Sequence, residues 1–132
     1  MARQTYIGLP VRDLARAREF YERLGLSYNP YASDERTACM VVSDDTMVML
    51  NAEPYFREFT QSAVADTSTA REVALGLSAD SREQVDDVAE QAVAAGGRAL
   101  GGPVELGPMY MRAFLDPDGH RWSVNYFAVP GQ

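Results

Sequence analysis

The feature that most constrains this chain is an order of predicted elements that occurs twice. Each half predicts a strand, a helix and three further strands, and each helix lies between a capping residue and a glycine. Asp13 precedes the first helix and Asp80 or Ser81 precedes the second, while Gly25 and Gly96 follow them. One half has a sheet face to bury and a single helix to cover it, so two joined halves make the smallest sensible domain.

Hydrophobic periodicity and turn residues give the approximate limits of these elements. A connector after the first half is expected to contain one helical turn, at residues 54–59. Strands are predicted over residues 5–11, 26–31, 37–42, 47–51, 72–78, 98–105, 109–115 and 120–127, and helices over 14–24 and from the 80–81 cap to Gly96.

These elements predict an α+β fold. Two βαβββ modules are expected to form a curved, partly open, eight-stranded mixed sheet around a cleft, with the helices outside. The single domain spans residues 1–132, with module 1 at about 4–52, the connector at about 53–70 and module 2 at about 71–128. A ferredoxin-like α+β sandwich is the alternative, although it normally lacks the third strand of each half.

Charge and hydropathy exclude several classes of partner. The chain has 12 basic and 19 acidic residues, and its net charge of −7 repels a phosphate backbone, so no nucleic-acid partner is expected. The most apolar run, residues 38–42, is far shorter than the roughly 20 residues that span a bilayer, so no membrane partner is expected either. The N-terminus enters a predicted strand without a signal-peptide core, which favours a cytoplasmic protein.

The single cysteine, Cys39, leaves no intrachain disulfide possible. It lies within the apolar run, where burial raises a thiol pKa, so we expect an unreactive core residue.

Several segments together carry a resemblance to a known family. The opening segments are 9–14 (LPVRDL), 20–21 (FY) and 24–26 (LGL), and the second half adds 95–97 (AGG) and 114–120 (FLDPDGH). In this order, and inside a doubled βαβββ plan, they resemble the vicinal oxygen chelate superfamily of glyoxalase, bleomycin-resistance and extradiol-dioxygenase proteins. The resemblance covers nearly the whole chain.

The resemblance implies where a metal centre would lie. Metal-dependent members present four ligands, usually His or Glu, from four strands, and those positions fall here on Tyr6, Met49, Ala74 and Ser123. Phenol, thioether, methyl and hydroxyl groups are poor ligands for a hard or borderline divalent metal. The resemblance therefore implies a member without the usual metal centre and with no cofactor.

Nearby oxygen donors leave an alternative open. Glu72, Asn51 and Asn125 lie two positions from predicted ligand positions and so share their strand faces, where they form at most a weak oxygen site for a divalent metal. His120, the only histidine, follows a turn glycine and is expected to face solvent at the start of a strand.

Without a metal, the cleft becomes a pocket for a small organic ligand. Tyr110 and Arg112 are expected to offer a phenol and a guanidinium to an anionic ligand. Any single Met or aromatic residue of such a set is as readily explained by core packing. Strand alternation predicts a lining that consists of Tyr6, Gly8, Met47, Met49, Asn51, Glu72, Ala74, Arg121, Ser123 and Asn125.

Three functions follow from these observations. The first is a metal-independent small-molecule binder, similar to the drug-sequestering resistance proteins of the superfamily. The second is a metal-dependent lyase, isomerase or dioxygenase with a non-standard metal site, and the third is a metal-free enzyme that uses Glu72 or Tyr6 as acid or base. The resemblance also implies a homodimer, because members commonly complete their clefts across a subunit interface.

Overall fold

The computed structural model describes residues 3–128. The chain divides into two compact units, the first ending at Ala65 and the second beginning at Asp66. Each unit contains a four-stranded mixed sheet and follows the order strand, helix, strand, strand, strand, which confirms the predicted pair of βαβββ modules. None of the helices in the described part of the chain is long and apolar enough to cross a membrane.

In the first unit the sheet order is β1-β4-β3-β2. The outer strand β1 runs parallel to β4, and the other neighbours are antiparallel. The elements are β1 Thr5–Val11, α1 Leu14–Arg23, β2 Ser27–Asn29, a 3₁₀ turn Pro30–Ala32, β3 Thr37–Ser43, β4 Thr46–Ala52 and α2 Glu53–Thr60.

The second unit repeats this topology with the sheet order β5-β8-β7-β6. Its outer strand β5 is again parallel to the last strand of the module, β8, and the other neighbours are antiparallel. The elements are β5 Ala74–Ser78, α3 Arg82–Ala94, β6 Arg98–Leu106, β7 Met109–Leu115 and β8 Arg121–Phe127.

The helix ends follow the capping rules that the sequence indicated. The Asp13 side chain accepts a hydrogen bond from the backbone N–H of Arg16 at 3.1 Å, and Ser81, rather than its neighbour, caps α3. Gly25 and Gly96 have φ angles of 99° and 108°, in the left-handed region that favours glycine after a helix.

Each sheet has one face covered by the helix of its own module. Phe20 and Tyr21 of α1 are buried on the helix face of the first sheet, together with Met40, Val48 and Leu50. In the second unit, a cluster of buried and partly buried residues joins α3 to β7 and β8: Val85, Val88, Ala89, Tyr110, Val124 and Tyr126. We call the opposite side of each sheet, where neither α1 nor α3 packs, its helix-free face; in the first unit only the short helix α2 lies beside it.

Several limits differ from the prediction by one residue, and three elements differ by more or in kind. Pro30 cannot donate a backbone hydrogen bond, so β2 ends at Asn29 and a 3₁₀ turn follows. The expected single turn after β4 is an eight-residue helix, α2, with Pro54 in its first turn. The strand β5 begins at Ala74, so Glu72 lies before it.

Candidate ligand-binding faces

The helix-free face of the first unit carries the thioether and amide groups that the sequence placed together. Tyr6 pairs with Met47 and Gly8 pairs with Met49, so these four residues share one face of neighbouring parallel strands. Tyr6 is 60% exposed at one end of this face.

Asn51 is a fixed polar group on the same face. Its side-chain oxygen accepts a hydrogen bond from the Thr37 hydroxyl at 3.0 Å, and its amide donates to the Met49 carbonyl at 3.1 Å. Asn51 is only 4% exposed, so these bonds offset the cost of burying the amide.

Helix α2 lies beside this face, with Phe56 close to Gly8. A Cβ atom at Gly8 would lie 3.3 Å from the Asn51 amide nitrogen and 4.0 Å from the Phe56 ring. Tyr55 and Phe56 each lie within 5.3 Å of Phe59, measured between ring centroids. The connector therefore presents an aromatic cluster beside the methionine and asparagine side chains.

The second unit repeats this arrangement. Gly76 pairs with Ser123, and a Cβ atom at Gly76 would lie 3.2 Å from the Asn125 amide nitrogen. Asn125 donates to the Ser123 hydroxyl at 3.0 Å and, at 3.4 Å, to the Leu77 carbonyl. A glycine on the first strand and an asparagine on the last strand thus meet in both modules.

Tyr110 and Arg112 do not join this face, which corrects the expectation that they line the ligand site. Both lie on the helix face of the second sheet. Tyr110 donates a hydrogen bond to Asp86 of α3 at 2.7 Å, and Arg112 lies 3.4 Å from Asp86 and 3.6 Å from Glu90. The hydrogen bond to Asp86 is the main cause of a raised Tyr110 pKa. These residues hold α3 to its sheet.

His120 is buried rather than facing solvent, which is a second correction. It is 2% exposed, and its Nδ1 atom lies 2.7 Å from Oε1 of Glu72, whose side chain is 27% exposed. Its backbone N–H donates to the Asp116 carboxylate at 2.8 Å. The histidine that follows the predicted surface turn is therefore buried, and it contacts Glu72, which lies 48 residues earlier in the chain.

Residues at the four metal-ligand positions do not fit a divalent cation. The Tyr6 hydroxyl donates to the Gln4 side-chain oxygen at 2.8 Å, whereas a tyrosine binds a metal only as the phenolate. The Ser123 hydroxyl accepts from Asn125, Met49 offers a soft thioether and Ala74 offers no donor. Within residues 3–128, no three His, Cys, Asp or Glu side chains are grouped so as to hold a metal ion.

The members of the alternative oxygen site, Asn51, Asn125 and Glu72, each make side-chain contacts within the protein. The oxygen of Asn51 accepts from Thr37, and the amide of Asn125 donates within its own module. One oxygen of the Glu72 carboxylate contacts His120.

Cys39 is 1% exposed, and burial raises the pKa of its thiol, as the sequence predicted.

Comparison with known proteins agrees with this fold. The family model described as Glyoxalase/Bleomycin resistance protein/Dioxygenase superfamily matches residues 3–124. A hypothetical protein, SA1046 from S. aureus, is 25% identical with a TM-score of 0.81, and the match covers 98% of this chain and 95% of that one.

Two further structures share the fold at lower identity. A glyoxalase/bleomycin resistance protein/dioxygenase family enzyme from Burkholderia phytofirmans PsJN is 21% identical with a TM-score of 0.82, covering 96% of this chain and 99% of its own. The fosfomycin resistance protein FosX from Listeria monocytogenes is 17% identical with a TM-score of 0.69, covering 98% and 96%. No curated protein matches the chain. The family match over nearly the whole length shows that this chain belongs to the glyoxalase/bleomycin resistance protein/dioxygenase superfamily.

Proposed function

We propose that this protein is a metal-independent small-molecule-binding member of its superfamily, of the type that confers resistance by sequestering its ligand. The observation that carries the proposal is the chemistry at the four metal positions. A phenol that donates to Gln4, a thioether, a methyl group and a hydroxyl that accepts from Asn125 stand in place of the usual imidazoles and carboxylates.

The helix-free faces supply what a ligand needs instead. Methionine is polarizable and adapts to irregular organic surfaces, and the fixed amides of Asn51 and Asn125 orient a polar group. The proposed contact residues are Tyr6, Met47, Met49 and Asn51 in the first unit, and Ala74, Ser123 and Asn125 in the second, with Glu72 beside them.

The similar structures include a fosfomycin resistance protein, so this fold serves at least one resistance function. As part of the proposal, the protein acts in the cytoplasm as a homodimer. Light scattering coupled to gel filtration tests the dimer directly, because a monomer mass at working concentration contradicts it.

The proposal is tested on protein purified without chelator. We expect elemental analysis to find far less than one metal ion per chain, and a thermal-shift screen of aromatic and acidic compounds to find ligands whose stabilisation is the same with and without chelator. Stoichiometric metal, or loss of ligand stabilisation on chelation, contradicts metal independence.

A second candidate, a metal-free acid/base enzyme, is favoured by the contact between Glu72 and His120. A buried imidazole holds one oxygen of a carboxylate that is partly exposed, an arrangement that positions a general base. Turnover of a ligand from the screen, abolished in Glu72→Gln while binding persists, establishes this function. Binding without turnover in the unmodified protein leaves the sequestering function as the better description.

A further inference from the structure

Arg121 is a half-buried cation on the helix-free face of the second sheet. Within residues 3–128, no ion pair, hydrogen bond or aromatic contact engages its guanidinium. Arg3, Arg57 and Arg98 also lack such contacts, but they are exposed. Partial burial of a charge is unfavourable unless an opposite charge or a hydrogen-bond acceptor reaches it. Arg121 is therefore a partly buried cation that a bound anion would stabilise.

The charge on this face is opposite to that of its surroundings. From Asp66 onward the chain contains ten acidic residues and five arginines. Cross-strand pairing nevertheless gives the helix-free face two arginines in one row, which reads Ala74, Arg121, Leu115 and Arg98 from β5 to β6. Because neighbouring strands lie about 4.8 Å apart, the two arginine backbones are about 10 Å apart and both side chains can reach one anion.

The carboxylates of this unit have other partners or lie elsewhere. Glu105 contacts Arg82, and Asp86 and Glu90 contact Arg112, all on the helix face. Glu72 precedes β5 at the arginine end, where its Oε1 atom contacts His120, and no ion pair joins it to Arg121 within residues 3–128. On all four strands, no acidic residue occupies a paired position of the helix-free face itself.

Polarity along this face changes from charged to apolar. After Arg121, the same face of β8 presents the Ser123 hydroxyl and the Asn125 amide. The next row joins Leu106, Met109 and Phe127. Leu106 is 63% exposed and Phe127 57%, and exposed apolar groups that lie together mark a binding surface. Arg121 and Phe127 are six positions apart along the strand, a distance of about 20 Å.

We propose that this face binds an amphipathic organic anion. Its acid group, a carboxylate or a phosphonate, pairs with Arg121 beside Arg98, and its apolar body runs past Ser123 and Asn125 toward Leu106 and Phe127. Arginine suits this role because its planar fork pairs with two oxygens of such groups. This inference rests on the proposed small-molecule-binding function and specifies the class of ligand.

Four probes separate the charge from the apolar body: dodecanoate, dodecylphosphonate, the neutral 1-dodecanol and acetate, each below the concentration at which it aggregates. Titration calorimetry on the full chain measures their dissociation constants. We expect dodecanoate or dodecylphosphonate to bind more tightly than dodecanol and acetate, and whichever of the two binds more tightly identifies the preferred acid group.

Variants of single arginines locate the acid group. Loss of one charge-assisted hydrogen-bonded pair weakens binding by about tenfold or more, so Arg121→Gln is expected to bind the preferred anion at least that much less tightly. The affinity for dodecanol is expected to stay unchanged in Arg121→Gln. Arg121→Lys keeps the charge without the fork and is expected to lie between the two. Arg57→Gln, which removes an exposed arginine of the first unit, is the matched control and is expected to bind like the unmodified protein.

Two outcomes overturn the inference. If Arg121→Gln remains folded by circular dichroism and binds the anion as the unmodified protein does, Arg121 does not hold the acid group. If dodecanol binds as tightly as the anions, or none of the four probes binds, the ligand is not an amphipathic anion. None of these results decides the proposed function, which is tested separately by the ligand screen with and without chelator.

Discussion

The contact between Glu72 and His120 makes a stability prediction that follows directly from the structure. Replacing Glu72 by alanine leaves the Nδ1 atom of a 2% exposed imidazole without the carboxylate that lies 2.7 Å away. Water has little access to a ring buried to this extent, so the lost hydrogen bond is not readily replaced.

The magnitude follows from the burial of the two partners. A hydrogen bond that involves a charged group contributes about 1.5–3 kcal/mol, and the 27% exposure of the Glu72 side chain reduces this through solvent screening. We therefore expect Glu72→Ala to lower the free energy of unfolding by about 1–2 kcal/mol, which for a domain of this size lowers the Tm by about 3–8 °C. Glu72→Gln keeps an acceptor oxygen and is expected to lose about half as much or less.

Urea unfolding followed by circular dichroism measures these differences. Glu58→Ala is the control, because Glu58 is exposed on α2 and has no ion pair within residues 3–128, so its effect is expected to stay within about 0.5 kcal/mol. A double-mutant cycle with His120→Ala isolates the coupling between the two side chains. The reasoning is refuted if Glu72→Ala and Glu58→Ala are equally stable, or if the cycle gives no coupling.

Three further predictions concern other contacts. Gly76→Ala places a Cβ atom 3.2 Å from the Asn125 amide and is expected to lower the free energy of unfolding, measured in urea, by about 1 kcal/mol. A Cβ atom at Gly102 meets nothing within 4 Å, so Gly102→Ala is the control and is expected to change stability very little. Equal losses in the two variants contradict the close packing at Gly76. Because the Tyr110 pKa is raised above 10.0, the folded state keeps that proton longer than the unfolded chain does. The contribution of Tyr110 to the free energy of unfolding is therefore fully present below about pH 10 and is lost as the pH rises through the raised pKa. Tyr110→Phe is expected to lower stability at neutral pH and to remove this alkaline decline, as measured by urea titrations. Cys39, whose thiol pKa is raised by burial, is expected to react slowly with a disulfide reagent in the native protein and rapidly in urea; equal rates contradict its burial.

Local signals explain why much of the fold could be predicted. The limits of β1 and β7 agree with the predicted residues 5–11 and 109–115, because each strand is bounded by turn or capping residues. Asp13 and Gly25 marked the ends of α1 through interactions within one or two turns of the chain. Such signals require no knowledge of distant residues.

The site residues whose position was predicted wrongly are placed by contacts with residues far away in the sequence. Strand alternation separates Tyr110 and Arg112 from their neighbours, but only the register between β7 and β8 shows which set faces α3. The partner of His120 lies 48 residues earlier, and no local pattern identifies it. Alternation with Ser123 was enough to predict that Arg121 lies on the same strand face. Its lack of an ion pair or hydrogen bond could be recognised only from the side-chain contacts.

The parallel pairing of the first and last strands also has a consequence for how each module is expected to assemble. Thr5 pairs with Thr46, and Ala74 with Arg121, so each outer strand meets a partner more than 40 residues away in the chain. Closing such long loops is entropically slow, whereas the β3–β4 and β7–β8 hairpins and the adjoining helices form from nearby residues. We therefore expect the segments that begin the two modules to dock last during folding and to detach first when the native state opens; native-state hydrogen exchange that protects β1 and β5 as strongly as β3 and β7 contradicts this.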